Sequence, residues 1–154
     1  MSFLGRSLLR VVAPRRAAAA AAVTREVDPH AVGRLRLVYE PRADALPDGG
    51  EVVWTWVPYA EHDGRGKDRP VLVVSRHGRD RVYAVKLTSK PHASDTGYVS
   101  IGAGGWDPQR RPSWADVDQL YSVHRQGLRR EGSALDRARF ERVAAVLRAR
   151  YGWR

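Results

Sequence analysis

Residues 50–89 constrain this chain most, because they alternate between stretches that ask to be buried and stretches that cannot be. They read GEVVWTWVPYAEHDGRGKDRPVLVVSRHGRDRVYAVKLTS. Val52–Val57 is β-branched and aromatic, which suits a largely buried strand, and Pro58 ends it because proline cannot donate to a ladder. EHDGRGKDR then carries two glycines among seven charged or imidazole side chains, too polar to bury and too flexible for a helix. Arg69-Pro70 opens a second strand, Val71–Val74. Arg81–Leu87 forms a third, behind turn residues Gly78 and Asp80. Arg69 therefore stands at a strand mouth, and Thr88-Ser89 closes the neighbouring strand.

Downstream, Tyr98–Ile101 reads as a short strand and residues 102–112 as a glycine- and proline-bearing loop. Residues 113–123 alternate imperfectly and predict one further strand; 125–132 predicts a turn. The period then becomes helical: Leu135, Phe140, Val143, Ala144, Leu147 and Tyr151 share one stripe, predicting a C-terminal helix over 133–151 with Ser133 as its cap and Gly152 as its stop. Five or six short strands and one terminal helix predict a mainly β domain, a small barrel with a helix packed on it, spanning 50–154. Trp54 and Trp56 alternate onto one strand face and are expected in the core. Residues 1–49 read as an N-terminal extension, flexible except for a candidate edge strand at 34–39. Apolar runs within 1–23 are too short to span a bilayer and are interrupted by Pro14-Arg15-Arg16, so no membrane partner is expected.

The formal charge of +10 points to a polyanion as partner. The inference is discounted, since the chain holds only three lysines, Lys67, Lys86 and Lys90, and its many arginines and alanines also fit a compositional bias. The absence of cysteine excludes disulfides and thiol catalysis and fits a reducing cytoplasm. The five histidines show no metal-ligand spacing, and no metal or cofactor is expected.

One set of motifs, in order, is a Gly50-acid-Val52-x-Trp54 strand, a glycine-rich polar loop, Arg69-Pro70-Val71-Leu72-Val73-Val74, a strand ending Thr88-Ser89, and Val117-Asp118-Gln119-Leu120 before a terminal helix. Together they resemble the PemK/MazF family of toxin endoribonucleases. The resemblance implies an SH3-like barrel of the PemK/MazF type, usually a homodimer, held inactive by an antitoxin. It also implies metal-independent cleavage of single-stranded RNA to 2′,3′-cyclic phosphate and 5′-hydroxyl ends. Two rivals share the fold: a catalytically silent barrel that binds nucleic acid or protein, and a poison of a protein target such as gyrase.

Cutting RNA without a metal requires a base for the 2′-hydroxyl, an acid for the 5′-oxygen and a stabiliser for the phosphorane. Arginine suits the last role, since its planar fork donates two parallel bonds to phosphate oxygens. Arg69 matches the family's catalytic arginine; the plain alternative is that it pairs with Asp68 or Asp63. Thr88 matches the catalytic threonine, with Ser89 as an auxiliary donor; the plain alternative is a strand end satisfying backbone groups. Asp118 and Gln119 match the acid-Gln pair near the family's site. Asp116 stands where some members carry arginine, which sets a repelling charge where a phosphate would be drawn in. His62 lies in the loop before Arg69, one residue out of the family's spacing. Arg65, Lys67, Lys86 and Lys90 are candidates for tracking an RNA backbone. Trp106 is a candidate base-stacking platform, and Trp114 is expected in the core or a dimer interface.

Overall fold

The computed structural model describes residues 22–42 and 46–154. Expectations for residues 1–21 lie outside the described residues. The described residues form eight strands: β1 (Arg25–Val27), β2 (Glu51–Pro58), β3 (Gly66–His77), β4 (Arg81–Thr88), β5 (Tyr98–Gly102), β6 (Ser113–Asp116), β7 (Leu120–His124) and β8 (Leu128–Ala134). Helix α1 (Arg137–Tyr151) follows. The class is the expected one, mainly β with one C-terminal helix. Every strand pair is antiparallel, in the order β1-β7-β4-β3-β2-β8, with β6 joining β4 to β5.

Among the described residues no ladder joins β1 to β8 to close the sheet. Its interior face is apolar, built from Val53, Val57, Val71, Val73, Val82, Ala84, Tyr121 and Val123. Because side chains alternate, Leu72, Val74, Val85 and Leu87 point the other way, into a second core completed by Phe140, Val143, Ala144 and Leu147 of α1. A bulge between Val73 and Ser75 in the β3–β4 ladder adds local twist. The start of β1 reaches β2, the neighbour of the end strand β8, through a side-chain bond: Thr24 Oγ1 lies 2.7 Å from Thr55 Oγ1.

Several elements differ from their expected bounds. The β3 strand begins at Gly66 and takes in part of the polar loop, because the β2 backbone pairs with Gly66, Lys67, Asp68 and Arg69 whatever their side chains. Pro70 is tolerated within it because β4 pairs with β3 only from Val71 onward. The single strand expected over 113–123 breaks at 117–119 into β6 and β7, and the expected turn over 125–132 is a 3-10 turn followed by β8. Helix α1 starts at Arg137; its cap is Asp136, whose carboxylate accepts from the Arg139 N–H, and Gly152 in the left-handed region ends it.

Residues 34–39 are not a strand. Their backbone pairs with no strand: the Leu37 N–H donates to Arg154 O (2.6 Å) and the Arg154 N–H to Leu35 O (2.9 Å), while Arg36 O accepts from Ser75 Oγ (2.9 Å) and Leu37 O from Arg148 Nη2 (3.1 Å). The alternation that suggested a strand instead buries Leu35 and Leu37 against the helix-side core. The edge strand lies earlier, at β1. Trp56 is 38% exposed and Trp54 half-buried, so neither is a core residue. The Trp56 indole lies against Gly66, where it leaves no room for a Cβ.

Candidate functional site

Antiparallel register decides which side chains meet. Residues directly opposite share a face, and so does every second residue along a strand. Val71 faces Lys86 across β3 and β4. Carried two residues further along each strand, that register sets Arg69 across from Thr88. Ala84 faces Tyr121 across β4 and β7, and Tyr121 faces Glu26 across β7 and β1. Tyr98 faces Asp116 across β5 and β6, and the β4–β6 register, carried on by one residue, sets Asp116 beside Lys86. One face of the sheet thus gathers Arg69, Lys86, Thr88, Asp116, Tyr121 and Glu26 at the open end of the interior.

Arg69 and Lys86 line both of the recesses there, one of about 540 Å³ and one of about 440 Å³. The larger also takes in Thr88, Ser89, Lys67, Lys90, Tyr98 and His92; the smaller takes in Glu61 and Arg65. Both carboxylates that offered Arg69 a plain structural role are occupied elsewhere. Asp68 Oδ2 accepts from Arg129 (2.7 Å), and Asp63 binds Arg65 (2.7 Å). Among the described residues Arg69 has no ion-pair partner, so its guanidinium stays available to an anion. Thr88 Oγ1 accepts from the Lys90 N–H (3.1 Å), which leaves the hydroxyl hydrogen free to donate.

The carboxylate at the site is not the expected one. Asp118 is exposed and turned away, paired with Arg150 of α1, in a separate recess with His30 and Tyr151. Asp116, one strand alternation earlier, is 3% exposed, and its Oδ2 lies 3.6 Å from Lys86 Nζ. Its Oδ1 accepts from the Asp118 N–H (3.0 Å). Burial is the main reason its pKa rises; the Asp118 N–H and the Lys86 ammonium oppose that rise. Its charge is therefore tied to Lys86 rather than turned on a phosphate.

Gln119 does reach the site, where its Nε2 donates to Glu26 Oε1 (2.9 Å). His62 joins from the loop: its Nε2 lies 3.7 Å from Glu26 Oε2, and its backbone holds φ at 51°, a left-handed conformation rare for a residue with a side chain. Beneath them the Tyr121 hydroxyl is fully buried without a hydrogen-bond partner. Its pKa is pushed upward by burial first, then by the negative charges of Glu26 and Asp116, against the pull of Arg69. Tyr98 shifts the same way, through burial and then Asp116, and its ring stacks on His92 at 3.6 Å.

Trp106 is not a stacking platform. It is 3% exposed, packed on Gly104 and donating from Nε1 to Ser113 Oγ (3.1 Å), so no base can lie on its ring. Trp106 borders the larger recess together with Tyr98 and Trp54, and the buried Nε1 of Trp54 has no partner. Glu26, Tyr98 and Tyr121 are site residues that sequence reasoning missed. Only the interior alternation of β7 pointed to Tyr121, and nothing in a three-residue strand pointed to Glu26. Among the described residues no group of three histidine or carboxylate side chains is placed to hold a metal, and no helix is long and apolar enough to cross a membrane.

The family profile described as PemK-like, MazF-like toxin of type II toxin-antitoxin system matches residues 48–150. No curated protein sequence matches the chain. Among solved structures, the chain is similar to MazE-MazF (form III) from Deinococcus radiodurans, at 18% identity over 70% of this chain and 98% of that one, with a TM-score of 0.53. It is also similar to an endoribonuclease from a mycobacterial species, at 18% identity over 71% of this chain and 94% of that one, with a TM-score of 0.49. At this identity the first likeness speaks to the fold.

Proposed function

The chain belongs to the PemK-like, MazF-like toxins of type II toxin–antitoxin systems, and on that premise we propose that it cleaves single-stranded RNA without a metal ion, leaving 2′,3′-cyclic phosphate and 5′-hydroxyl ends. The observation that carries the proposal is Arg69. It sits in a β ladder, across from a threonine hydroxyl with a free hydrogen, while both neighbouring carboxylates are bound to other arginines.

The strand positions supply the electrostatics. As the 2′-oxygen closes on phosphorus, negative charge builds on the non-bridging oxygens. The Arg69 fork, the Lys86 ammonium and the Thr88 hydroxyl donate to them from fixed backbone. The 2′-hydroxyl passes its proton to His62, the P–O5′ bond breaks with its electron pair on O5′, and O5′ takes a proton from solvent in the open recess. Single-stranded substrate follows from the in-line geometry, which an A-form duplex denies to its own 2′-hydroxyl. Lys67, Lys90 and Arg65 stand where a backbone would enter and leave. The same premise assigns the protein a cytoplasmic site of action, an antitoxin as partner and a homodimer as working form.

The test is cleavage of a panel of single-stranded RNAs by purified protein in the presence of EDTA. Arg69→Lys keeps the charge and loses the paired donors, and is expected to slow cleavage about 100-fold or more. Thr88→Val keeps the shape and is expected to slow it while the fold survives. Cleavage unaffected by either change would remove the assigned site. A folded wild-type protein that cuts no RNA would favour the silent barrel or the protein poison, neither of which needs Arg69 or Thr88.

A further inference from the structure

We propose that Glu26 is a positioning residue of the RNA-cleaving site, so that strand β1, which lies outside the family-matched residues 48–150, completes the active centre. The inference rests on the endoribonuclease reading above and adds a residue to it.

Strand β1 is fastened on both sides of Glu26. Before it, Thr24 bonds the Thr55 hydroxyl at 2.7 Å, and Arg81 Nη2 donates to Val23 O at 3.1 Å. After it, Val27 packs against the helix-side core. Between them the ladder to β7 sets Glu26 opposite Tyr121, on the same face as Lys86 and Arg69. The carboxylate is half-buried and divides its two oxygens. Oε1 takes the Gln119 amide at 2.9 Å, and Oε2 faces His62 Nε2 at 3.7 Å.

That division has a chemical consequence. A carboxylate beside Nε2 favours the tautomer that carries hydrogen there, and it leaves the Nδ1 lone pair to accept the 2′-hydroxyl proton. His62 needs such a partner, since it sits on a polar loop in a left-handed conformation that persists only where the surroundings hold it. Gln119, fixed by the same carboxylate, keeps Glu26 from rotating away. The aspartates of this region are engaged elsewhere, Asp116 with Lys86, Asp118 with Arg150 and Asp63 with Arg65.

The experiment is steady-state cleavage of a single-stranded RNA by the full chain, its Glu26→Gln and His62→Ala variants and the double variant. Glutamine at 26 still offers Gln119 an acceptor but removes the charge facing His62. Glu26→Gln is expected to lower kcat about 10- to 100-fold with little change in KM, the scale of losing a group that orients a catalytic one. His62→Ala, a change on an exposed loop, is expected to lower kcat by at least as much. Because Glu26 acts through His62, the double variant is expected to match His62→Ala alone. Wild-type kcat in either single variant overturns the proposal, and so does an undiminished Glu26→Gln effect in the His62→Ala background. Wild-type protein that cuts RNA while Glu26→Gln is unaffected sinks this proposal alone. Folded wild-type protein that cuts none sinks the endoribonuclease reading as well.

Discussion

Removing residues 1–47 should unfold most of the protein, although what remains contains the whole family-matched segment, 48–150. The removed part holds Leu35, Leu37 and Leu46, exposed by 8%, 4% and 4%. Burying one leucine is worth about 1.5–3 kcal/mol, so the three together contribute roughly 4–9 kcal/mol, an upper estimate because real unfolded chains already shield some of that surface. The truncation also breaks the two backbone bonds between residues 35–37 and Arg154, and the Tyr39 hydroxyl bond to Leu135 O (2.6 Å). Against a total stability of about 5–15 kcal/mol for a domain, a loss of that size leaves little. Leu37→Ala alone should cost about 2–5 kcal/mol. With a urea slope of about 2 kcal/mol per molar, the middle of the usual range, its midpoint should fall by roughly 1–2.5 M. Urea unfolding followed by far-ultraviolet circular dichroism measures both variants. A 48–154 fragment with the midpoint of the full chain would refute the reasoning, and would restore a domain boundary at residue 50.

Two further outcomes are expected. Phe140→Ala, at a fully buried helix position against the Tyr39 ring, should cost about 3–5 kcal/mol in the same unfolding assay. Asp116 has its pKa raised on folding, so the folded state prefers the carboxyl protonated: its contribution to stability is present below the ordinary aspartate range and is lost as pH rises through the folded value. Asp116→Asn, which can still accept from the Asp118 N–H, should therefore melt higher than wild type at pH 7, with the difference shrinking toward pH 3; equal melting temperatures at neutral pH would contradict the assigned burial cost.

The strands at the centre of the sheet were legible because their side chains do what β-branched residues do best. Val52–Val57, Val71–Val74 and Arg81–Leu87 all lie within observed strands. Boundaries failed where pairing, not side-chain burial, makes the strand. Gly66–Arg69 is polar and pairs through its backbone alone, and Leu128–Ala134 is an edge strand whose side chains are mostly exposed. Trp54 and Trp56 misled for a related reason: they do share a face, but it is not the core, since Trp54 lines the larger recess and Trp56 is exposed beside Gly66. Among the site residues, Arg69, Thr88, Lys86 and Gln119 converge in space. Asp118 fails because the chain bends at 117–119, which turns it toward α1 and leaves Asp116 facing Lys86.

That failure and that success share one cause, the two-residue period of a strand. Along β3 the interior face reads Val73, Val71, Arg69; along β4 it reads Val82, Ala84, Lys86, Thr88. The same alternation that packs the interior turns polar at one end of it, so the cations and the hydroxyl inherit their rigidity from the ladder that builds the core. A strand position can fix a phosphate donor without any other support. The proposed proton acceptor, His62, is different. It stands on a glycine-bearing loop that is open to solvent, and no ladder determines where its imidazole points. On the proposed reading such a site has stationary electrostatics and a base held from outside, with the Glu26 carboxylate on β1 facing it at 3.7 Å. The prediction that the β1 carboxylate governs kcat rather than KM follows from the proposed division, in which RNA affinity would reside in the strands and turnover would depend on the loop.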